Sequence, residues 1–299
     1  MRILKILIVV VVVSFALLAA EVMRIAAVFN GPFPGAPLAV YKQLPRAEPV
    51  DFVSKSGVQL QGSLISGEKG RGVVLLLHGH NVHRNILIRR ARFLTREGYT
   101  VFMFDFQGHG QSGEEAVTMG YRESQDVEAA MELLRARYPD EQMAILATSM
   151  GAASVIARGE AVESDAYVLE CMYYSLPELI ERRLGEKYGR GFASILTPLI
   201  LWEQILVVGY DPRAVAPGRA VSTITKPVLY IAADQDQYVT LEESMDVFER
   251  ITAPKELWVI KGQRHGDFSH TVPDAYEKKV LEFLAFRLRV EEQNLNKEG

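Results

Sequence analysis

The chain has 299 residues, 48% of them apolar and 23% charged, with 23 glycines and 13 prolines, which excludes collagen-like, low-complexity and wholly disordered architectures. Its 33 Lys and Arg against 37 Asp and Glu leave a net charge of −4, with no basic surplus for a phosphate backbone, so nucleic acid is not an expected partner. A single cysteine, Cys171, excludes an internal disulfide and a Cys-rich zinc module.

Arg2 and Lys5 precede a continuous run from Ile6 to Ala20 in which Ser14 is the only polar residue. Positive charge ahead of an apolar stretch of this length is the pattern of an export signal. A spanning helix needs about 20 apolar residues. The run reaches that length if Lys5 snorkels, or if the helix continues through Glu21 and Arg24, which lie three apart and can pair. Leu18-Ala19-Ala20 is only a fair cleavage site, because Leu would stand three before the cut. Residues 1–30 are therefore expected to stay as a membrane anchor, with the positive flank cytoplasmic and the remainder on the non-cytoplasmic side. Export followed by cleavage is the alternative. Gly31-Pro32-Phe33-Pro34-Gly35-Ala36-Pro37 opens a semi-rigid spacer, 31–47, ahead of a domain over 48–290 and a polar tail over 291–299.

Within that domain strand and helix signals alternate. Val58 to Ile65 alternates like an edge strand, whereas Val73 to Leu77 is continuously apolar, as for a strand buried on both faces. Arg84 to Glu97 has helical spacing and is closed by Gly98. Strand Val101 to Phe104, helix Ser124 to Tyr138 (stopped by Pro139), strand Met143 to Ala147, helix Met150 to Arg158 and strand Ala166 to Leu169 follow. Pro227 to Ala232, Leu241 to Ile251, Leu257 to Ile260 and Ala275 to Val290 add two strand–helix pairs. The rhythm predicts an α/β fold: a mostly parallel central sheet with helices on both faces. It breaks at about 172–221, where amphipathic pieces with Pro and Gly suggest an inserted helical lid.

Four stretches sit at predicted strand C-termini, where open α/β sheets place ligands. In Ala147-Thr148-Ser149-Met150-Gly151, a serine on a sharp strand-to-helix turn lifts its hydroxyl clear of the sheet and aims the next N–H into the site. A serine that merely caps the helix is the plainer alternative. In His265-Gly266-Asp267-Phe268, the histidine can act as general base and then acid, with His270 as a nearby competitor. In Asp234-Gln235-Asp236-Gln237-Tyr238-Val239, a carboxylate could orient that histidine. Asp236 is preferred because it stands three before Val239, which can anchor the loop; Asp234 and Glu170 are the other candidates. In Leu77-His78-Gly79-His80-Asn81, the N–H of His80 or Asn81 could join that of Met150 as a two-donor oxyanion hole, with His78 bracing the loop.

The most distinctive stretch is Asp105-Phe106-Gln107-Gly108-His109-Gly110-Gln111-Ser112-Gly113. With it, with His78-Gly79, Ser149-Met150-Gly151, Pro227-Val228-Leu229, His265-Gly266-Asp267-Phe268 and Asp211-Pro212-Arg213, the chain from about 48 to 290 resembles the α/β-hydrolases. The branch it resembles most is that of small-lid esterases and serine-aminopeptidase-like hydrolases. The chain order Ser149, Asp236, His265 is the order of the triad in that fold. The resemblance implies Ser149 as nucleophile, His265 as base, Asp236 as acid, His80 and Met150 as oxyanion donors, and a site floor made by the Asp105–Gly113 loop. It departs at Ala147, where Gly is usual, and at Gln107, where Arg is frequent. The implied activity is hydrolysis of a small acyl substrate, a carboxylic ester first, with amide, peptide and thioester cleavage on the same triad as alternatives. No cofactor is required.

Two rival readings differ in class. His78, His80 and His83 have a His-x-His-x-x-His spacing seen in metallo-hydrolases, but Val82 stands where an Asp belongs, and the α/β rhythm is wrong for that fold. A non-catalytic binding or scaffold protein on a hydrolase fold would be favoured by a missing triad member, and none is missing.

Overall fold

A computed structural model describes residues 2–35 and 39–288; the expected polar tail, residues 289–290 of the last expected helix and residues 36–38 of the expected spacer lie outside the described residues. Eight strands build the central sheet: β1 (Glu48–Val53), β2 (Gln59–Ile65), β3 (Val73–Leu77), β4 (Thr100–Phe104), β5 (Met143–Thr148), β6 (Ala166–Glu170), β7 (Val228–Ala233) and β8 (Lys255–Ile260). Their order is β8-β7-β6-β5-β3-β4-β2-β1, parallel from β8 through β4 and antiparallel at β2 and β1. Val74 of β3 lies opposite Val101 on one side and Ala144 on the other. A strand flanked this way meets helices on both faces, which is why VVLLL carries no polar alternation. Val73, Leu75 and Leu77 face one hydrophobic layer and Val74 and Leu76 the other.

The expectation that Val58 to Ile65 forms an edge strand is corrected. β2 lies between β1 and β4, with Leu60, Leu64 and Ile65 buried, and the edge is taken by β1. β1 carries Pro49, which an edge tolerates because one side of the strand needs no ladder donor. Helices α2 (Ile88–Arg96) and α3 (Glu123–Arg137) cover opposite faces, Phe93 and Leu94 on one and Val127, Met131 and Leu134 on the other. Gly98 follows α2 at φ 85°, a conformation that a side chain would strain. The helix expected over Met150 to Arg158 is shorter: α4 (Met150–Ser154) gives way to turns, and the Ser154 hydroxyl donates back to Met150 O at 2.7 Å.

Between β6 and β7 the chain leaves the sheet as helices α5 (Leu176–Tyr188) and α6 (Arg190–Glu203), then a π-helical turn, Gln204–Val208, closed at Gly209 with φ 80°. This helical insertion corresponds to the expected lid. Two further helices, α7 (Leu241–Arg250) and α8 (Pro273–Arg287), complete the layers.

The N-terminal helix, which precedes all of these (Arg2–Asn30), is unbroken. Its apolar stretch from Leu4 through Leu18 is exposed, but Val22, Ile25, Ala26 and Phe29 are buried, and the helix packs on α6. Arg24 donates to Glu21 at 2.8 Å, as their spacing allows. The stretch after this helix is held against the domain. Phe33 and Pro34 pair with His109 and Gly110, and Phe33 N and Gly35 N donate to Gly108 O and Gly110 O at 2.6 and 2.9 Å.

Candidate active site

The Asp105–Gly113 loop, expected as the site's floor, lines neither cavity beside Ser149; it braces the loop after β3 instead, Phe106 N donating to His78 Nε2 at 3.2 Å. Asp105, fully buried, accepts from Arg84 N at 2.7 Å, from Gln111 N at 3.0 Å and from the Arg84 guanidinium. Gly110 turns beneath it at φ 57°, where an added Cβ would come within 2.1 Å of the Asp105 carboxylate. Gln107 donates from N and Nε2 to Asp126 at 2.9 and 2.8 Å. Burial pushes the Asp126 carboxyl well above its usual range, against the pull of these bonds. A neutral amide at 107 therefore suits a partner that resists ionising.

Ser149 stands between β5 and α4 at φ 54° and ψ −116°. An L-residue there is strained by about 1–3 kcal/mol, and the turn is tight enough that a Cβ on Gly151 would come within 2.5 Å of His78 O. Ser149 N donates to Glu170 O at 2.8 Å, which ties the turn to the end of β6. The Ser149 hydroxyl lies 3.0 Å from His265 Nε2, and His265 Nδ1 lies 2.6 Å from Asp236 Oδ2. A carboxylate only accepts, so Nδ1 carries the proton and Nε2 offers its lone pair to the hydroxyl. Asp236 Oδ1 accepts from Tyr238 N and Val239 N, both at 2.8 Å, which fixes the loop after β7. Burial alone would raise this carboxyl, but the imidazole and the two backbone N–H groups outweigh it and hold it below the usual aspartate range. The structure thus brings Ser149, His265 and Asp236 into one hydrogen-bonded chain. Met150 N, at the first position of α4, and His80 N donate to no protein acceptor among the described residues.

The other candidates are engaged elsewhere. The Asp234 carboxylate accepts from Gly262 N at 2.6 Å, in the turn after β8. Glu170 is buried and accepts from Arg90 and Thr148, each at 2.8 Å, and from the Tyr276 hydroxyl. His270 is exposed and bonded to Asp267 at 2.7 Å. His78 accepts from Phe106 N at 3.2 Å, and burial first, then its neighbours' charges, lowers it well below the usual range. His83 packs on Phe33, and His78, His80 and His83 form no metal-donor cluster among the described residues. The one cluster of metal-donor type among the described residues is Cys171, Asp236 and His265, within 4.8 Å of one another. Burial pushes the Cys171 thiol well above its usual range, so it stays protonated and donates to Asp236. Asp236 and His265 are already bonded to each other, to two backbone N–H groups and to Ser149, so the set reads as a hydrogen-bonded one.

Sequence reasoning missed Cys171 as a neighbour of Asp236, because φ 46° at the end of β6 turns it there. It also missed Arg183 of α5, whose guanidinium lies 4.4 Å from the Tyr238 ring centroid. Met172, Tyr173 and Trp202 of the helical insertion do not line the cavity beside Ser149. Met172 and Tyr173 are buried in the core and Trp202 is 60% exposed. The cavity beside Ser149 holds about 250 Å³ and is lined by Val82, Ile86, Arg183, Tyr238 and His265 among others. Arg183 and Tyr238 also border a second cavity of about 430 Å³, reaching Ile25 and Phe29 of the N-terminal helix.

The family model described as serine aminopeptidase, S33, matches residues 68–201. YqkD, an uncharacterized protein of Bacillus subtilis, is 26% identical over 253 residues, 82% of each chain. YfhR, an uncharacterized protein of Escherichia coli K12, is 25% identical over 249 residues, 80% of each. Among solved structures, the Pyrococcus furiosus esterase Pf2001 superimposes with a TM-score of 0.72 at 25% identity, covering 87% of this chain and 98% of that one. Sheet order, helical insertion and these likenesses are those of an α/β-hydrolase, and together they support a hydrolase.

Proposed function

We propose that this chain, which has the α/β-hydrolase fold, is a serine hydrolase that cleaves an acyl bond, a carboxylic ester before others. The observation that carries the reading is the alignment of Ser149 Oγ, His265 and Asp236 at 3.0 and 2.6 Å. His265 Nε2 takes the Ser149 proton as Oγ attacks the carbonyl carbon. The oxyanion meets the N–H groups of Met150 and His80, which have no other acceptor among the described residues. Collapse returns the proton from Nε2 to the leaving alcohol and leaves an acyl-serine. Water, deprotonated by the same nitrogen, releases the acid. Asp236 holds the imidazole in the useful tautomer throughout.

Ester rather than aminopeptidase chemistry is favoured by charge. An N-terminal ammonium needs a free carboxylate in the cleft, and Asp267, which lines it, is tied to Arg90 at 2.7 Å. The test is labelling by a serine-directed phosphonate together with profiling on aryl esters and aminoacyl anilides. Label on wild type but not on Ser149→Ala, with esters cleaved faster, supports the reading. An unlabelled protein that turns over neither substrate is a scaffold.

We also infer that the N-terminal helix is retained as an anchor, with the catalytic domain on the non-cytoplasmic side. Its exposed apolar length runs without a break into the turns buried on the domain, so the domain would sit at the bilayer surface. On α6 and the π turn, Phe192, Ile195, Trp202 and Leu206 form one exposed apolar strip at helical spacing. The protein should remain in membranes through an alkaline wash; recovery in the soluble fraction, shortened at its N-terminus, would mean export and cleavage instead.

A further inference from the structure

Two arginines line the cavity beside Ser149, and they are in opposite states. Arg90 is saturated: Glu170 at 2.8 Å, Asp267 at 2.7 Å and the Tyr276 hydroxyl at 2.8 Å surround its guanidinium. Arg183 has no hydrogen-bond or ion-pair partner among the described residues, although its Nε is fully enclosed. Its neighbour Arg182, on the same helix, is paired with Glu243, so acceptors are not lacking in this layer. Arg183 instead stacks on Tyr238, with Phe29 of the N-terminal helix at 5.8 Å. Ring faces steady a guanidinium but leave its N–H edge free. A half-buried cation whose enclosed Nε has no acceptor is costly unless something that binds there supplies one. The Asp236 and Glu186 carboxylates and the Tyr238 and Tyr173 hydroxyls lie near enough to favour its charge, but none pairs with it among the described residues, and Glu186 lies 3.7 Å from Arg264. Asp267 belongs to Arg90, Asp236 to His265, and the His80 ring is neutral, pushed down to about 3 by burial and then by Arg183 itself.

We propose that Arg183 is the anion-recognition residue of this cleft, so that the substrate is an acyl ester that also carries a carboxylate or similar anionic oxygen group. A planar carboxylate matches the guanidinium edge with two parallel N–H bonds. The proposal rests on the hydrolase reading for turnover, but not for binding. Arg183 touches substrate rather than the reacting atoms, so it sets specificity.

The test compares matched esters. An aryl hemiglutarate against the aryl valerate places the charge on the acyl side, and a butyryl ester of hydroxybenzoate against its methyl ester places it on the alcohol side. Wild type should prefer the charged member of one pair by about tenfold or more in kcat/KM, mainly through KM, as a bond to a charged group is worth about 1.5–3 kcal/mol. Arg183→Gln should bring that ratio to about one and Arg183→Lys should restore part of it, which mere loss of packing would not do. A ratio near one in wild type for both pairs, or an equal loss on charged and neutral members in Arg183→Gln, overturns the proposal and leaves the hydrolase reading standing. Calorimetric binding of glutarate to Ser149→Ala, with and without Arg183→Gln, reads the subsite without turnover. Binding that weakens with Arg183→Gln supports it even if no ester is cleaved; no Arg183-dependent binding, with no ester cleaved, overturns it.

Discussion

At the strand ends the candidate triad and the loop of Asp105 are held by fixed partners. Ser149 is tied to β6 through its N–H, Asp236 to two backbone N–H groups, and Asp105 to Arg84 and Gln111. In the helical layer above, Arg183 Nε has no acceptor among the described residues, and Phe192, Ile195 and Trp202 face outward. The rim takes its geometry from a sheet that is buried on both sides and cannot shift. The helical layer takes its shape from packing alone, and its unsatisfied groups point toward whatever lies outside the chain. Chemistry is thereby separated from selection. The first can stay rigid while the second varies.

That division can be broken most severely at Ser149. Ser149→Ala should lower turnover by about 10⁴-fold or more, measured on an aryl ester. Its urea midpoint should change by about 1 kcal/mol or less in stability, since one exposed-side hydroxyl is lost. Asp236→Asn should cost about 10⁴-fold in kcat by favouring the wrong tautomer. Asp234→Asn, whose carboxylate caps the turn after β8, should stay within about threefold because it touches no reacting group. An inverted result would move the acid to residue 234.

Glu170→Gln sharpens the contrast from the other direction. It breaks a buried ion pair with Arg90 and should destabilise the protein by about 3 kcal/mol, with turnover per folded molecule falling far less than in Asp236→Asn. Chemical denaturation and active-site titration on one preparation separate the two effects.

The pH dependence is gentler. The folded-state pKa of Asp236 is depressed, so its contribution to stability is complete above the unfolded aspartate value of about 3.9 and is lost as pH falls through the lower folded value. Denaturation midpoints between pH 6 and 3 should fall less steeply in Asp236→Asn than in wild type. The smallest effect on folding is expected at the outer layer. Trp202→Ala should change stability by about 0.5 kcal/mol or less, while reducing co-sedimentation of the protein with phospholipid vesicles. Unchanged sedimentation would detach the α6 strip from any membrane role.

Much of the fold was legible because buried strands leave a residue-level mark. VVLLL at 73–77 could only be a strand covered on both faces, and the alternation with helices set the sheet type. The candidate triad was legible because each member follows a readable strand, and Val239 three after Asp236 already suggested which acid the loop would hold. The docking of Phe33 and Pro34 on His109 and Gly110 left no such mark, and neither did the displacement of β2 from the edge. Both depend on pairing between segments distant in sequence.

The amino-acid order by itself determined the alternation of elements, the apolar N-terminal helix and the local turn chemistry around Ser149, because these follow from periodicity and from glycine placement within a few residues. Only the tertiary structure decided that Arg90 pairs with Glu170 and Asp267 while Arg183 stacks on ring faces, and that Cys171 turns toward Asp236. A side chain's partner across the fold is set by how helices pack and how strands register. Those quantities are summed over the whole core, and no single stretch of sequence encodes them.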